Sequence, residues 1–145
     1  ALCEFASTLY PVNYDLLITG ALLHDVAKVQ EYDHRRNIDF TDEGRLIGHL
    51  ALSDQMVCEN AAKILGFPEE LLLHLRHLIL SHHGEYEKGS VRLPQTLEAI
   101  VLHHCDNLDA QATGVAQLIA AIPQNAVWSE YDKLNNRYYK IYRPV

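Results

Sequence analysis

Apolar side chains recur at steps of three to four residues through four stretches of this chain, and that period commits most of it to amphipathic helices. Asn13 stands where an N-cap belongs, ahead of Leu16, Leu17, Ala21, Leu23 or Val26, and Val29. Thr41 or Asp42 caps a second helix through Leu46, Leu50, Met56, Val57, Ala61 and Leu65, which Gly66 stops. Pro68 occupies the first position of a third, with Glu69 and Glu70 at the positive end of its dipole, running to about Leu80. A fourth extends from Pro94 to Ile122 and puts His103, Asp106 and Asp109 on one arc. The opening segment, Leu2 to Tyr10, reads as the later turns of a helix. Polar loops follow at about Asp33 to Phe40 and Glu85 to Pro94. The expected fold class is therefore all-α, a helical bundle over about 1–122, with an aromatic tail over 123–145. In that tail Asn135 and Asn136 could turn the chain into a short strand, Arg137 to Tyr142.

Length and charge narrow the possibilities. At 145 residues the chain suits one ordinary domain. No apolar run approaches the roughly 20 residues that span a bilayer, so no membrane association is expected. A net charge of −7 provides no footprint for wrapping a polyanion without bound cations or a separate domain. Cys3, Cys58 and Cys105 are odd in number and widely spaced, which suits reduced thiols in a cytoplasm.

Nine histidines are the outstanding compositional fact. The sharpest signal is His24–Asp25 inside the apolar frame Gly20-Ala21-Leu22-Leu23 and Val26-Ala27-Lys28, where burying two ionisable groups costs several kcal/mol unless they pair or ligate a metal. His49 after Gly48, the pair His82 and His83, and Asp106 complete a candidate set of metal ligands drawn from four helices. Imidazole nitrogens with carboxylate oxygens suit Mn, Fe, Ni or Zn rather than Ca, and Asp25 could bridge two ions. His34, His74 and His77 are expected to have no ligand duty, whereas His103, Arg45 and Arg92 are candidates for substrate contact.

The run Gly20 to Lys28, with Gly48-His49, His82-His83-Gly84 and Asp106, resembles the HD-domain superfamily of metal-dependent phosphohydrolases. More narrowly, Thr41 to His49, Leu80 to Glu85, and Leu102-His103 with Asp106 to Ala110 are similar to the HD domain of bacterial 3′→5′ exoribonucleases, which carry an OB-type domain ahead of it. The resemblance implies one or two divalent ions (Mn, Fe, Ni or Zn, with Mg possible) held by His24, Asp25, His49, one or both of His82 and His83, and Asp106. It further implies catalytic duty for Asp25 and Lys28, and cleavage of phosphodiesters at RNA 3′ ends by a metal-activated hydroxide. The same centre would also serve nucleotide or signalling-nucleotide hydrolysis, and a lapsed, ligand-binding HD module is the third reading. The family's first ligand histidine precedes the His-Asp pair, yet residues 1–23 contain none, so residues upstream of Ala1 are expected to supply it.

Overall fold

The computed structural model describes residues 1–33, 38–123 and 125–142. His34 lies outside them, as does part of the loop expected after Asp33. Two compact units, Ala1–Asp106 and Asn107–Val145, make up the chain.

Helices build the first unit: α1 (Leu2–Ser7), α2 (Tyr14–Leu23), α3 (Lys28–Glu31), α4 (Asp42–Leu46), α5 (His49–Ala61), α6 (Glu69–Ser81) and the start of α7 (Leu97–Ala120). The all-α expectation holds, with one small addition. Strands β1 (Tyr32–Asp33) and β2 (Asp39–Phe40) pair antiparallel where the sequence suggested only a polar loop. Tyr32 pairs with Phe40, their rings 4.8 Å apart, so a cross-strand aromatic contact supports the ladder.

Caps at α2 and α4 fall where the sequence placed them. The Asn13 side chain accepts the Leu16 amide at 3.1 Å, and the Thr41 hydroxyl accepts that of Gly44 at 2.9 Å. Pro68 is instead the N-cap of α6, with Glu69 and Glu70 forming its first turn. Ridges of α6 pack against α5 and α2, and Leu17, Leu78, Ile79 and Leu102 are almost completely withdrawn from water. Each such side chain contributes about 1.5–3 kcal/mol by burial, which holds the helices in place beneath the polar cluster described below.

Periodicity ran past two helix ends. The helix starting at Tyr14 stops at Leu23 instead of continuing to Val29. Beyond it the chain advances in tighter three-residue turns, Val26 N–H to Leu23 O at 3.1 Å and Lys28 N–H to Asp25 O at 3.0 Å. The Ala27 amide is drawn off to the buried Ser53 hydroxyl at 3.1 Å. The second expected helix is likewise two, α4 and α5, parted at Gly48, whose φ of +80° is open to glycine at little cost. Leu46 and Leu65, read as core positions, are exposed at 85% and 104% because they lie beside or beyond those ends.

The second unit holds the later turns of α7 and the aromatic tail. There the tail folds back on itself: Trp128 bridges Lys140 and Asp132 bridges Arg137, both antiparallel. Asn136, at φ +52°, makes the turn that the asparagine pair suggested. Isolated bridges take the place of a continuous strand. Tyr131 and Tyr138 stack at 5.1 Å, and the Lys140 ammonium lies 5.4 Å from the Trp128 ring centre. No helix among the described residues is long and apolar enough to cross a membrane.

Candidate metal centre

Helix ends deliver the polar side chains. His24 is the C-cap of α2, Asp25 sits in the tight turns after it, His49 is the first residue of α5, and His82 is the C-cap of α6 with His83 directly behind. Gly84 follows at φ +77°, and a Cβ there would strike the His103 ring, so this turn is closed to any larger residue. Asp106 reaches the same place from α7.

Every one of the four imidazoles is anchored through Nδ1. His24 donates to the Ala21 carbonyl at 3.0 Å, His82 to that of Ile79 at 2.7 Å and His83 to that of Lys88 at 2.8 Å, while His49 bonds Glu31 Oε1 at 2.9 Å. In a neutral ring whose proton sits on Nδ1, Nε2 of His49, His82 or His83 presents a lone pair. Two of those lone pairs face each other, His49 Nε2 to His83 Nε2, at 3.2 Å. Asp25 Oδ1 stands 3.4 Å from His49 Nε2 and 3.7 Å from His82 Nε2, buried and without a hydrogen-bond partner among the described residues. Lone pairs and a carboxylate oxygen turned on one another repel unless a cation lies among them. His49, His82 and His83 form one such donor group, and His24, Asp25 and His82 a second.

Protonation follows the same layout. Burial alone would lower the His24 pKa, but hydrogen bonding to Asp106 at 3.4 Å and Asp25 at 3.3 Å outweighs it and raises the group to about 10. Burial likewise works against the Asp25 carboxylate, yet His24 and Lys28 hold it well below the usual range. Hydrogen bonding from His24 lowers Asp106. Burial pushes His82 down to about 4 and also lowers His83, which favours the neutral ring in both. The Lys28 ammonium touches Asp25 Oδ2 at 2.6 Å and remains 45% exposed, so its charge borders the cluster and open solvent together.

Thus the structure brings together His24, Asp25, Lys28, His49, His82, His83 and Asp106. His103 is next to them, its Nδ1 donating to the His82 carbonyl at 2.8 Å. Arg45 is engaged elsewhere, bonding Asp39 at 2.6 Å over the Phe40 ring, and Arg92 is exposed on the loop after α6. His77 accepts the Gln95 amide at 2.9 Å. Two contributors went unread in the sequence, Glu31 and Ser53, because only the packing of α3 against α5 makes them neighbours of the site.

With this geometry in hand, comparison with known proteins is decisive: the HD domain family matches residues 2–111. The chain belongs to the HD-domain family. Curated relatives of this HD domain include the 3′-5′ exoribonuclease YhaM of Bacillus pumilus (strain SAFR-032), 40% identical over 94% of this chain and 43% of the relative. Proteins of the same name from Bacillus subtilis (strain 168), 38% identical over 99% of this chain and 45% of the relative, and Geobacillus sp. (strain WCH70), 38% over 94% and 42%, are similar to it as well. The HD domain described here therefore spans less than half the length of these relatives. No solved structure matches it.

Proposed function

We propose that this chain is the hydrolytic centre of a metal-dependent phosphodiesterase that acts on RNA 3′ ends. One observation carries the metal: the unpartnered Asp25 Oδ1 beside the facing Nε2 atoms of His49 and His83. Imidazole and carboxylate donors fit Mn, Fe, Ni or Zn, and Mg less well. His24, Asp25 and Asp106 would hold one ion, and Asp25 with His49 and one or both of His82 and His83 a second. When bound, such ions act as Lewis acids toward a phosphoryl oxygen and lower the pKa of water.

The chain's own residues account for the rest. His82 is common to the two donor groups, and Asp25, in one of them, also reaches His49 of the other at 3.4 Å, so its orientation bears on both. Lys28, partly exposed and one turn along, places a positive charge where non-bridging phosphate oxygens would gather negative charge during displacement. His103, fixed to the His82 carbonyl, holds the turn that carries His82 and His83 and would be a polar group beside substrate.

RNA is favoured because the relatives named above are exoribonucleases. The net charge of −7 calls for help in holding a polymer, and a further nucleic-acid-binding domain of OB type in the full protein would provide it. That same charge favours a nucleotide as second reading. Three free thiols point to a cytoplasmic setting.

The test is hydrolysis of a labelled oligoribonucleotide and a panel of nucleotides with Mn(II). Release of mononucleotides from the 3′ end, lost in Asp25→Asn and His24→Ala proteins whose circular dichroism is unchanged, supports the proposal. Equal activity in both variants and the unaltered chain would refute it.

A further inference from the structure

Of the four anchored imidazoles, three give their Nδ1 proton to a backbone carbonyl, and His49 alone is held by a carboxylate. That carboxylate, Glu31, is 4% exposed, a location where carboxylates are seldom found without a strong reason. Its Oε1 accepts two bonds from one residue, the His49 ring at 2.9 Å and the His49 amide at 3.1 Å. Its Oε2 is buried and has no partner among the described residues. A buried carboxylate with half its acceptor capacity unused costs free energy, and the donor cluster stands on the other side of the His49 ring that this carboxylate holds.

We propose that Glu31 is a positioning residue which, acting through His49, sets how tightly the centre grips its ion. This rests on the reading of the cluster as a metal centre. The pair of bonds to Oε1 fixes both where the ring stands and which nitrogen is bare, since a proton kept on Nδ1 leaves Nε2 free to donate electrons. A carboxylate at Nδ1 also makes Nε2 a stronger donor than a carbonyl would, because negative charge on one side of the ring increases electron density on the other. His49 is thereby distinguished from His24, His82 and His83. The rival explanation is that Glu31 merely caps α5 through the His49 amide.

Mn(II) titration of the metal-free chain, read by the electron paramagnetic resonance of free Mn(II), separates the two, with thermal unfolding measured in parallel. Glu31→Ala should weaken Mn(II) binding roughly 10–100-fold, and Glu31→Gln, which retains an oxygen for both donors but no charge, should fall between it and the unaltered chain. Nitrogen-15 spectra of the metal-free Glu31→Ala protein should show His49 losing its fixed Nδ1–H tautomer. If Glu31→Gln and Glu31→Ala bind Mn(II) as the unaltered chain does and only melt earlier, Glu31 is a cap and the inference falls. Should Glu31→Ala fail to fold, Glu31→Gln decides alone. An unaltered chain that binds no Mn(II) would overturn the metal centre itself, an outcome distinct from unchanged affinity in the variants.

Discussion

His24 Nε2 lies 3.4 Å from Asp106 Oδ1, joining the end of α2 to the middle of α7 at one edge of the candidate metal centre. Asp106→Asn keeps the shape of that contact and removes its charge. Hydrolysis should fall by about 100-fold or more and Mn(II) binding should weaken, since loss of a direct ligand costs at least as much as loss of the group behind it. Steady-state rates against Mn(II) concentration measure both.

Lys28 separates from the ligands by the sign of its effect on metal. Lys28→Met removes the ammonium that competes for Asp25 Oδ2 at 2.6 Å, so Mn(II) should bind as well or more tightly. Turnover should nevertheless drop by roughly 100-fold, the usual cost of deleting one group that stabilises transition-state charge. A parallel loss of affinity and turnover would instead make Lys28 a structural partner of Asp25.

The glycine that ends the His82–His83 turn should tolerate no replacement. In Gly84→Ala the new methyl meets the His103 ring and the backbone stays at a φ that costs non-glycine residues. Together these should destabilise the chain by about 1–3 kcal/mol in urea unfolding and reduce hydrolysis per folded molecule.

Leu78, fully buried where α6 packs against Gly20 of α2, should behave oppositely. Leu78→Ala is expected to cost about 2–5 kcal/mol of stability, yet the folded fraction should hydrolyse substrate at close to the normal rate. Chemical denaturation and activity at low temperature provide the comparison.

Cys3 and Cys105 prove to be neighbours in the core despite their distance in sequence. Burial, with Cys105 adding to it, pushes the Cys3 thiol up to about 12. Only the thiolate attacks disulfide reagents, so raising this pKa reduces the reactive fraction at pH 8. Of the three cysteines, Cys3 should react slowest in the native chain, and all three should react at similar rates in guanidinium.

Much of this centre could be read from the sequence because its donors are unusual residues in apolar surroundings. His24-Asp25, Gly48-His49 and His82-His83 each interrupt a helical pattern, and only coordination or pairing makes such interruptions affordable. What the period concealed was the interruption of the backbone itself. Val26 and Val29 continue the apolar spacing of α2, so nothing local signals that Ser53, far along the chain, will capture the Ala27 amide and end the helix. Glu31 was hidden for the same reason: an acidic residue beside Tyr32 looks like ordinary surface until α5 is laid against it. Leu46 and Leu65 mislead in the other direction, satisfying the period at the exposed last residue of α4 and past the end of α5.

α2 and α6 finish at the donor cluster and α5 begins there, so the chemistry belongs to one pole of the bundle. The link from Ala62 to Pro68 lies at the other extremity, about 20 Å away along a 13-residue helix. Evolution or engineering could lengthen, shorten or decorate that remote corner while the end that carries the histidines and Asp25 retains its dimensions. Recognition of a new partner could therefore be written into the 62–68 link without disturbing the donor cluster.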